Sequence, residues 1–164
     1  MHLSRRRGNA IRQDILTAGI IESVPLATRT GQVMLFQLTH HGRTVCTSLG
    51  IDPGPLPRAS LEHTFWARRV AHQFEQQGFE VVLEHPIKGD GFIDVVAQRP
   101  GERVAIEIET GKSDIKMNVE KLRGLGFDRV ILVATSPSAV AACHRALDAA
   151  GKREVELMTW LDVS

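Results

Sequence analysis

The 164-residue sequence predicts an α/β fold: a mixed sheet flanked by helices in the order αβββαβαβ, preceded by a small helix, hairpin and helix segment. Three observations carry that prediction. Apolar spacing alternates between helical and two-residue periods along residues 60–161. Glycine and proline punctuate each change of period. A proline-rich break separates two stretches of opposite net charge.

Composition sets the class. With 43% hydrophobic and 24% charged residues the chain falls in the ordinary globular range, which excludes collagen-like, low-complexity and disordered readings. No apolar run approaches the roughly 18–20 residues needed to cross a bilayer, and no hydrophobic stretch follows the arginines of the N-terminus. The expectation is a cytoplasmic protein with no membrane partner. Cys46 and Cys143 have neither CxxC nor zinc-finger spacing, so both are expected as reduced, buried thiols.

The overall net charge of +1 hides an asymmetry. Residues 1–58 carry seven arginines and no lysine against Asp14, Glu22 and Asp52, a net of +4. The 13 basic and 16 acidic residues of 59–164 leave that part at −3. Between them, Gly50 to Arg58 holds three prolines and two glycines in nine residues, which continues neither a helix nor a central strand. The expected organisation is a segment 1–50, a linker 51–59 and a domain 60–164.

In the first segment, Ile11, Ile15, Leu16, Ala18 and Ile20 recur at helical spacing and predict a helix from Asn9 ending near Gly19. Residues 22–26 and 33–38 then predict a hairpin, with Gly31 in the turn. Thr39 is a candidate N-cap for a short helix to about Leu49. This order resembles the second half of a winged helix-turn-helix domain. The resemblance implies DNA contact through Arg5, Arg6, Arg7, Asn9, Arg12 and Gln13 of the first helix, with Arg29 added from the wing. A solvated basic face or a dimerisation arm is the other reading of the same residues.

In the second segment, Ser60 to Gln77 predicts a helix, with Gly78 as its stop. Strands are predicted over 79–85, 92–97 and 103–109, a helix over 113–122, a buried strand over 128–134, a helix over 137–150 with Pro137 at its first position, and a last strand over 155–161.

The two middle strands carry the chemistry. A hairpin centred between Pro100 and Gly101 places Asp94 opposite Glu107. Alternation then assigns Ile93, Val95 and Ala97 to one apolar face with Val104, Ile106 and Ile108, and gathers Asp94, Glu107 and Glu109 on the other. Opposed like charges destabilise a sheet, and a divalent cation removes that cost. Hard oxygen ligands with no nearby cysteine favour Mg²⁺ or Mn²⁺. Such an ion suits attack on a phosphodiester.

These residues resemble the PD-(D/E)xK nuclease superfamily, which includes restriction endonucleases and Holliday-junction resolvases, over about residues 60–135. Asp94 matches the first metal ligand, Glu107 the acid of the E-x-K element, and Glu62 the extra acid of the preceding helix. The expected lysine is here Glu109, as in some restriction endonucleases, and Lys112 is a candidate for the positive charge. The resemblance implies a restriction endonuclease-like core preceded by a small winged helix-like segment. It further implies a Mg²⁺- or Mn²⁺-dependent DNA endonuclease acting as a homodimer. Asp94, Glu107 and Glu109 would hold metal, with Glu62 and Lys112 assisting and Lys88 touching DNA. The same fold without catalysis, as a DNA-binding or scaffolding module of a larger nucleic-acid-processing assembly, is the alternative. Two other motifs fail. In Gly111-Lys112-Ser113 the first glycine of a phosphate loop would fall on Ile106 within a strand, and neither an HExxH nor a Ser-His-Asp arrangement has supporting spacing.

Overall fold

The computed structural model describes residues 4–89, 91–122, 124–150 and 155–163; Asp90, between the strands expected over 79–85 and 92–97, lies outside them. Apart from the hairpin tip, the chain separates into two compact units between Leu61 and Glu62.

The first unit comprises α1 (Arg5–Thr17), a hairpin of β1 (Ile21–Thr28) and β2 (Gly31–Leu38), and α2 (His40–Ser48). Helix α1 starts earlier than the apolar spacing from Asn9 implies, because the Ser4 side chain accepts from the Arg7 backbone N–H at 3.3 Å and caps it. Thr39 caps α2 as expected, accepting from Gly42 N at 2.9 Å. A side chain on Gly42 would collide with the backbone carbonyl of Ile20, so glycine is required there. The 51–59 segment is not a free linker. Arg43 of α2 donates to the carbonyls of Pro53 and Gly54 and pins it. Among the described residues of this unit only Leu26 and Gly42 are buried. Cys46 is half-buried rather than buried, because α2 has little around it to pack against, whereas Cys143 is fully buried.

The second unit comprises α3 (Leu61–Gln76), β3 (Glu80–Ile87), β4 (Gly91–Arg99), β5 (Glu102–Glu109), α4 (Ile115–Leu122), β6 (Arg129–Ala134), α5 (Pro137–Ala150) and β7 (Val155–Thr159). It is α/β, with a mixed five-stranded sheet in the order β3-β4-β5-β6-β7. The first three strands are antiparallel and the last three parallel, in keeping with a hairpin for the tight β4–β5 turn and helical crossovers for the rest. Helix α4 begins at Ile115 rather than Ser113, because the Asp114 carboxylate accepts from Met117 N at 3.1 Å as its cap. Strand β7 ends at Thr159, where Asp162 takes both the backbone N–H and the hydroxyl of that threonine.

Helices cover both faces of the sheet. Trp66, Val70 and Phe74 of α3 pack on Val95, Ala97, Val104, Ile106, Ile108, Ile131 and Val133. Ile115 and Val119 of α4 and Ala139 and Cys143 of α5 pack with Leu132 and Ala134 of the opposite face. Burying side chains of this size stabilises by about 1.5–3 kcal/mol each, so the sheet is a rigid platform for the polar residues of β4 and β5.

Candidate active site

The site begins with the β4–β5 register. Gly101, at φ 78°, closes a tight turn that aligns Arg99 with Glu102 and carries the pairing to Val95 opposite Ile106. This is the register expected from Pro100 and Gly101. Past that pair the two strands part, and the Asp94 side chain fills the gap: its Oδ2 accepts from the backbone N–H of Ile108 at 2.8 Å.

The other side of Asp94 is irregular too. The β3–β4 ladder passes from Leu83 and Val95 to His85 and Ile93, skipping Glu84 and Asp94. Glu84 has φ 50°, the only positive value at a non-glycine residue among those described. Such a conformation costs of order 1–3 kcal/mol and is concentrated at functional sites. The break changes which way the strand's side chains point. Ile93 packs with Val96, Ala105 and Leu122 rather than with Val95 and Ala97, which corrects the strict alternation expected for β4.

Freed from alternation, Asp94 meets α3, where His63 Nε2 lies 3.0 Å from its Oδ2. Burial pushes the Asp94 pKa up. The hydrogen bonds from His63 and Ile108, the His63 charge and a hydrogen bond with Glu107 outweigh that and hold it below its ordinary value. His63 is shifted upward, first by its hydrogen bond with Asp94, against the opposing effect of burial and with help from the charges of Asp94, Glu109 and Glu84.

Glu107 is the reverse case. It is 2% exposed, and burial followed by the neighbouring Asp94 charge pushes its pKa up to about 8, against a lowering by Lys121 of α4. The Lys121 ammonium lies 2.8 Å from Glu107 Oε1, close enough for charge attraction. The angle at that oxygen is off the ideal for a hydrogen bond, so the contact acts chiefly as a short ion pair in a buried setting. The ammonium instead donates to the carbonyl of Phe92 at 3.0 Å. These groups open on a cleft of about 310 Å³ whose walls include His63, Asp94, Glu107, Lys112, Asn118 and Lys121.

Of the expected site residues, Asp94, Glu107 and Lys112 come together here. Glu109 and Glu62 do not line the cleft. Glu109 is fully buried; its Oε2 accepts from the Ser113 hydroxyl and its Oε1 from the Asn118 amide at 3.0 Å. Glu62 Oε1 accepts from Thr135 Oγ1 at 2.9 Å. Among the described residues no group of three or more acid, histidine or cysteine side chains is arranged to hold a metal ion. The expected three-carboxylate patch is a two-carboxylate pair, because Glu109 has turned to donors on the α4 side and Asp94 to α3.

Lys121 and His63 were not foreseen as site residues. Each arrives from a helix distant in sequence from Asp94, and no local spacing points to them. The arginines Arg5, Arg6, Arg7 and Arg12, with Asn9 and Gln13, are all exposed on α1, and no acidic residue lies in its first turn. Arg29 is exposed in the hairpin turn and Lys88 in the turn after β3. No helix among the described residues is long and apolar enough to cross a membrane.

No family model matches the chain. No curated protein matches it either. Among solved structures it is similar to a repair endonuclease from Pyrococcus abyssi, at 21% identity and a TM-score of 0.41, covering 66% of this chain and 50% of that one. It is also similar to a protein from Vibrio cholerae, at 17% identity and a TM-score of 0.40, covering 99% of this chain and 43% of that one. The chain spans about half the length of the solved structures it matches.

Proposed function

We propose that this chain is a divalent-metal-dependent DNA endonuclease of the PD-(D/E)xK kind, hydrolysing phosphodiester bonds at the Asp94–Glu107 cleft. One observation carries the reading: two acids, the buried Glu107 and the ionised Asp94, share the wall of one open cleft with the Lys121 ammonium against them. Burying two neighbouring acids is costly. Lys121, 2.8 Å from Glu107 Oε1, offsets one of the two charges.

The donor set fits Mg²⁺ or Mn²⁺, which bind through one or two carboxylates and keep positions for phosphate and water. Asp94 and Glu107 would hold the ion, while Glu109 is engaged by Ser113 and Asn118. When bound, such an ion stabilises charge on phosphate oxygens and lowers the pKa of a coordinated water. The remaining work falls to the chain. His63 and the Ile108 N–H fix the Asp94 carboxylate. Lys121 places an ammonium beside Glu107, where the missing lysine of the E-x-K element would have brought positive charge. Lys112, on the cleft wall, is placed to contact a phosphate. The cationic first turn of α1, where positive charge opposes the helix dipole, fits an anionic partner such as the DNA backbone, with Arg29 and Lys88 adding contacts. Cutting both strands would call for a homodimer.

Supercoiled plasmid, single strands and four-way junctions incubated with Mg²⁺, Mn²⁺ or EDTA test this. Metal-dependent cutting that disappears in Asp94→Ala and Glu107→Ala is expected. A second reading, a catalytically inactive DNA-binding module of a larger assembly, is favoured by the absence of a three-ligand cluster among the described residues. Tight, salt-sensitive binding with no cleavage of any of these forms would establish that reading over the first.

A further inference from the structure

A second pocket opens on the far side of the His63–Asp94 pair. It encloses about 220 Å³, and its walls are Thr64, Ala67 and Arg68 of α3 with Leu83 and Glu84 of β3. His63 and Asp94 line both this pocket and the cleft, so the two are neighbours across one ion pair. The chemistry proposed for the cleft makes no use of it.

Its composition narrows the ligand. The volume lies below the roughly 300–1,000 Å³ of sites for drug-sized ligands, leaving room for a single ring system. Two carboxylates, Glu84 and Asp94, offset the charges of Arg68 and His63 in the same lining, so the pocket offers a phosphate no net positive charge. Ala67 and Leu83 supply an apolar wall, and Arg68 supplies a planar guanidinium of the kind on which unstacked bases lie. Thr64 and Glu84 supply hydrogen-bonding groups for the polar edge of a ring. The left-handed backbone of Glu84, φ 50°, is the local distortion that accompanies this arrangement.

We propose that this pocket holds an unpaired nucleobase next to the scissile phosphate, so that the preferred substrate is DNA with an extruded or single-stranded nucleotide at the cut. The inference rests on the nuclease reading of the cleft and extends it to substrate class. Removing a base from a duplex costs unstacking and unpairing, and costs least when the base is already unpaired. A pocket of this kind therefore discriminates between substrates that present the same phosphate chemistry.

The test compares binding of the full chain to a matched DNA duplex and to the same duplex carrying a one-nucleotide bulge, with Ca²⁺ in place of Mg²⁺. Cleavage in Mg²⁺ and Mn²⁺ is scored in parallel. One stacked base predicts about tenfold tighter binding of the bulged duplex. Leu83→Trp, which occludes the pocket, and Glu84→Gln, which removes its charged acceptor, should bring that ratio towards one while affinity for the matched duplex is kept. Leu83 is 41% exposed, so the substitution leaves the core intact, and thermal melting of each variant checks this. Equal affinity for the two duplexes, or a ratio moved by neither variant, overturns the pocket assignment and leaves the nuclease reading standing. If no DNA form is cut, the nuclease reading falls, whereas a bulge preference lost in Leu83→Trp still supports the pocket.

Discussion

Glu107 and Glu109 stand two residues apart on β5, both buried, yet the two ends of that short stretch have opposite characters. Around Glu109 the chain supplies every partner: the Ser113 hydroxyl holds one oxygen and the Asn118 amide the other. Around Glu107 it does not. One oxygen meets the Lys121 ammonium off the ideal hydrogen-bond angle, the neighbouring group is a second carboxylate, and a cleft opens beside them. Residue type, strand and burial are shared, so none of these marks a site. What separates the two regions is whether the protein satisfies its own acid, and an acid left unsatisfied at the wall of an open cleft is where a cation has something to gain.

The largest effect expected from this contrast lies at the satisfied end. Glu109→Ala removes a fully buried side chain and the acceptor of both the Ser113 hydroxyl and the Asn118 amide, and should cost about 3 kcal/mol in urea unfolding. A cost below about 1 kcal/mol would erase the distinction between the two glutamates. Next, Lys121→Ala should lower cleavage about 100-fold, equivalent to about 2.7 kcal/mol, with Lys121→Arg recovering part of the rate. An unchanged rate in Lys121→Ala would remove the lysine from the chemistry.

The pH dependence of stability sharpens the comparison further. In EDTA, Glu107 keeps its proton in the folded chain up to about 8 but loses it near 4.5 when unfolded. The unfolded chain therefore binds fewer protons within that window. Stability is full below it and falls as pH rises through it, by up to about 1.4 kcal/mol per pH unit. Glu107→Gln should flatten the slope. A smaller fall remains from His63, whose raised pKa contributes stability below 6.5 that is lost as pH passes its folded value. Denaturant midpoints measured from pH 4 to 9 check Glu107→Gln against the parent. The smallest effect lies on α1: Arg6→Ala should reduce the slope of log affinity against log salt by about one, uniformly across DNA sequences.

How far the sequence disclosed all this follows the range of the interactions. The β4–β5 register from Arg99–Glu102 to Val95–Ile106 was legible because a two-residue turn at Pro100 and Gly101 leaves a hairpin little freedom, but the pairing ends before the expected Asp94–Glu107 pair, and those two residues meet only as neighbours on the cleft wall. The order and types of the elements in 60–164 were legible for the same reason, since capping, periodicity and glycine stops are local. Ile93 was assigned to the wrong face because alternation assumes an unbroken strand, and the break is produced across the ladder at Glu84. Glu109 looked like a ligand because parity orders faces without naming neighbours. Its true partners, Ser113 and Asn118, belong to the following turn and helix. Lys121 and His63 were invisible in the same sense, since each meets the site only through tertiary packing.

The most direct test of the account is Mn²⁺ binding by calorimetry to the parent chain, Glu107→Gln, Asp94→Asn and Glu109→Gln, with each variant's fold checked by thermal melting. The account predicts that the parent and Glu109→Gln bind Mn²⁺ while Glu107→Gln and Asp94→Asn do not. Binding that survives in Glu107→Gln and Asp94→Asn but is lost in a folded Glu109→Gln would contradict it.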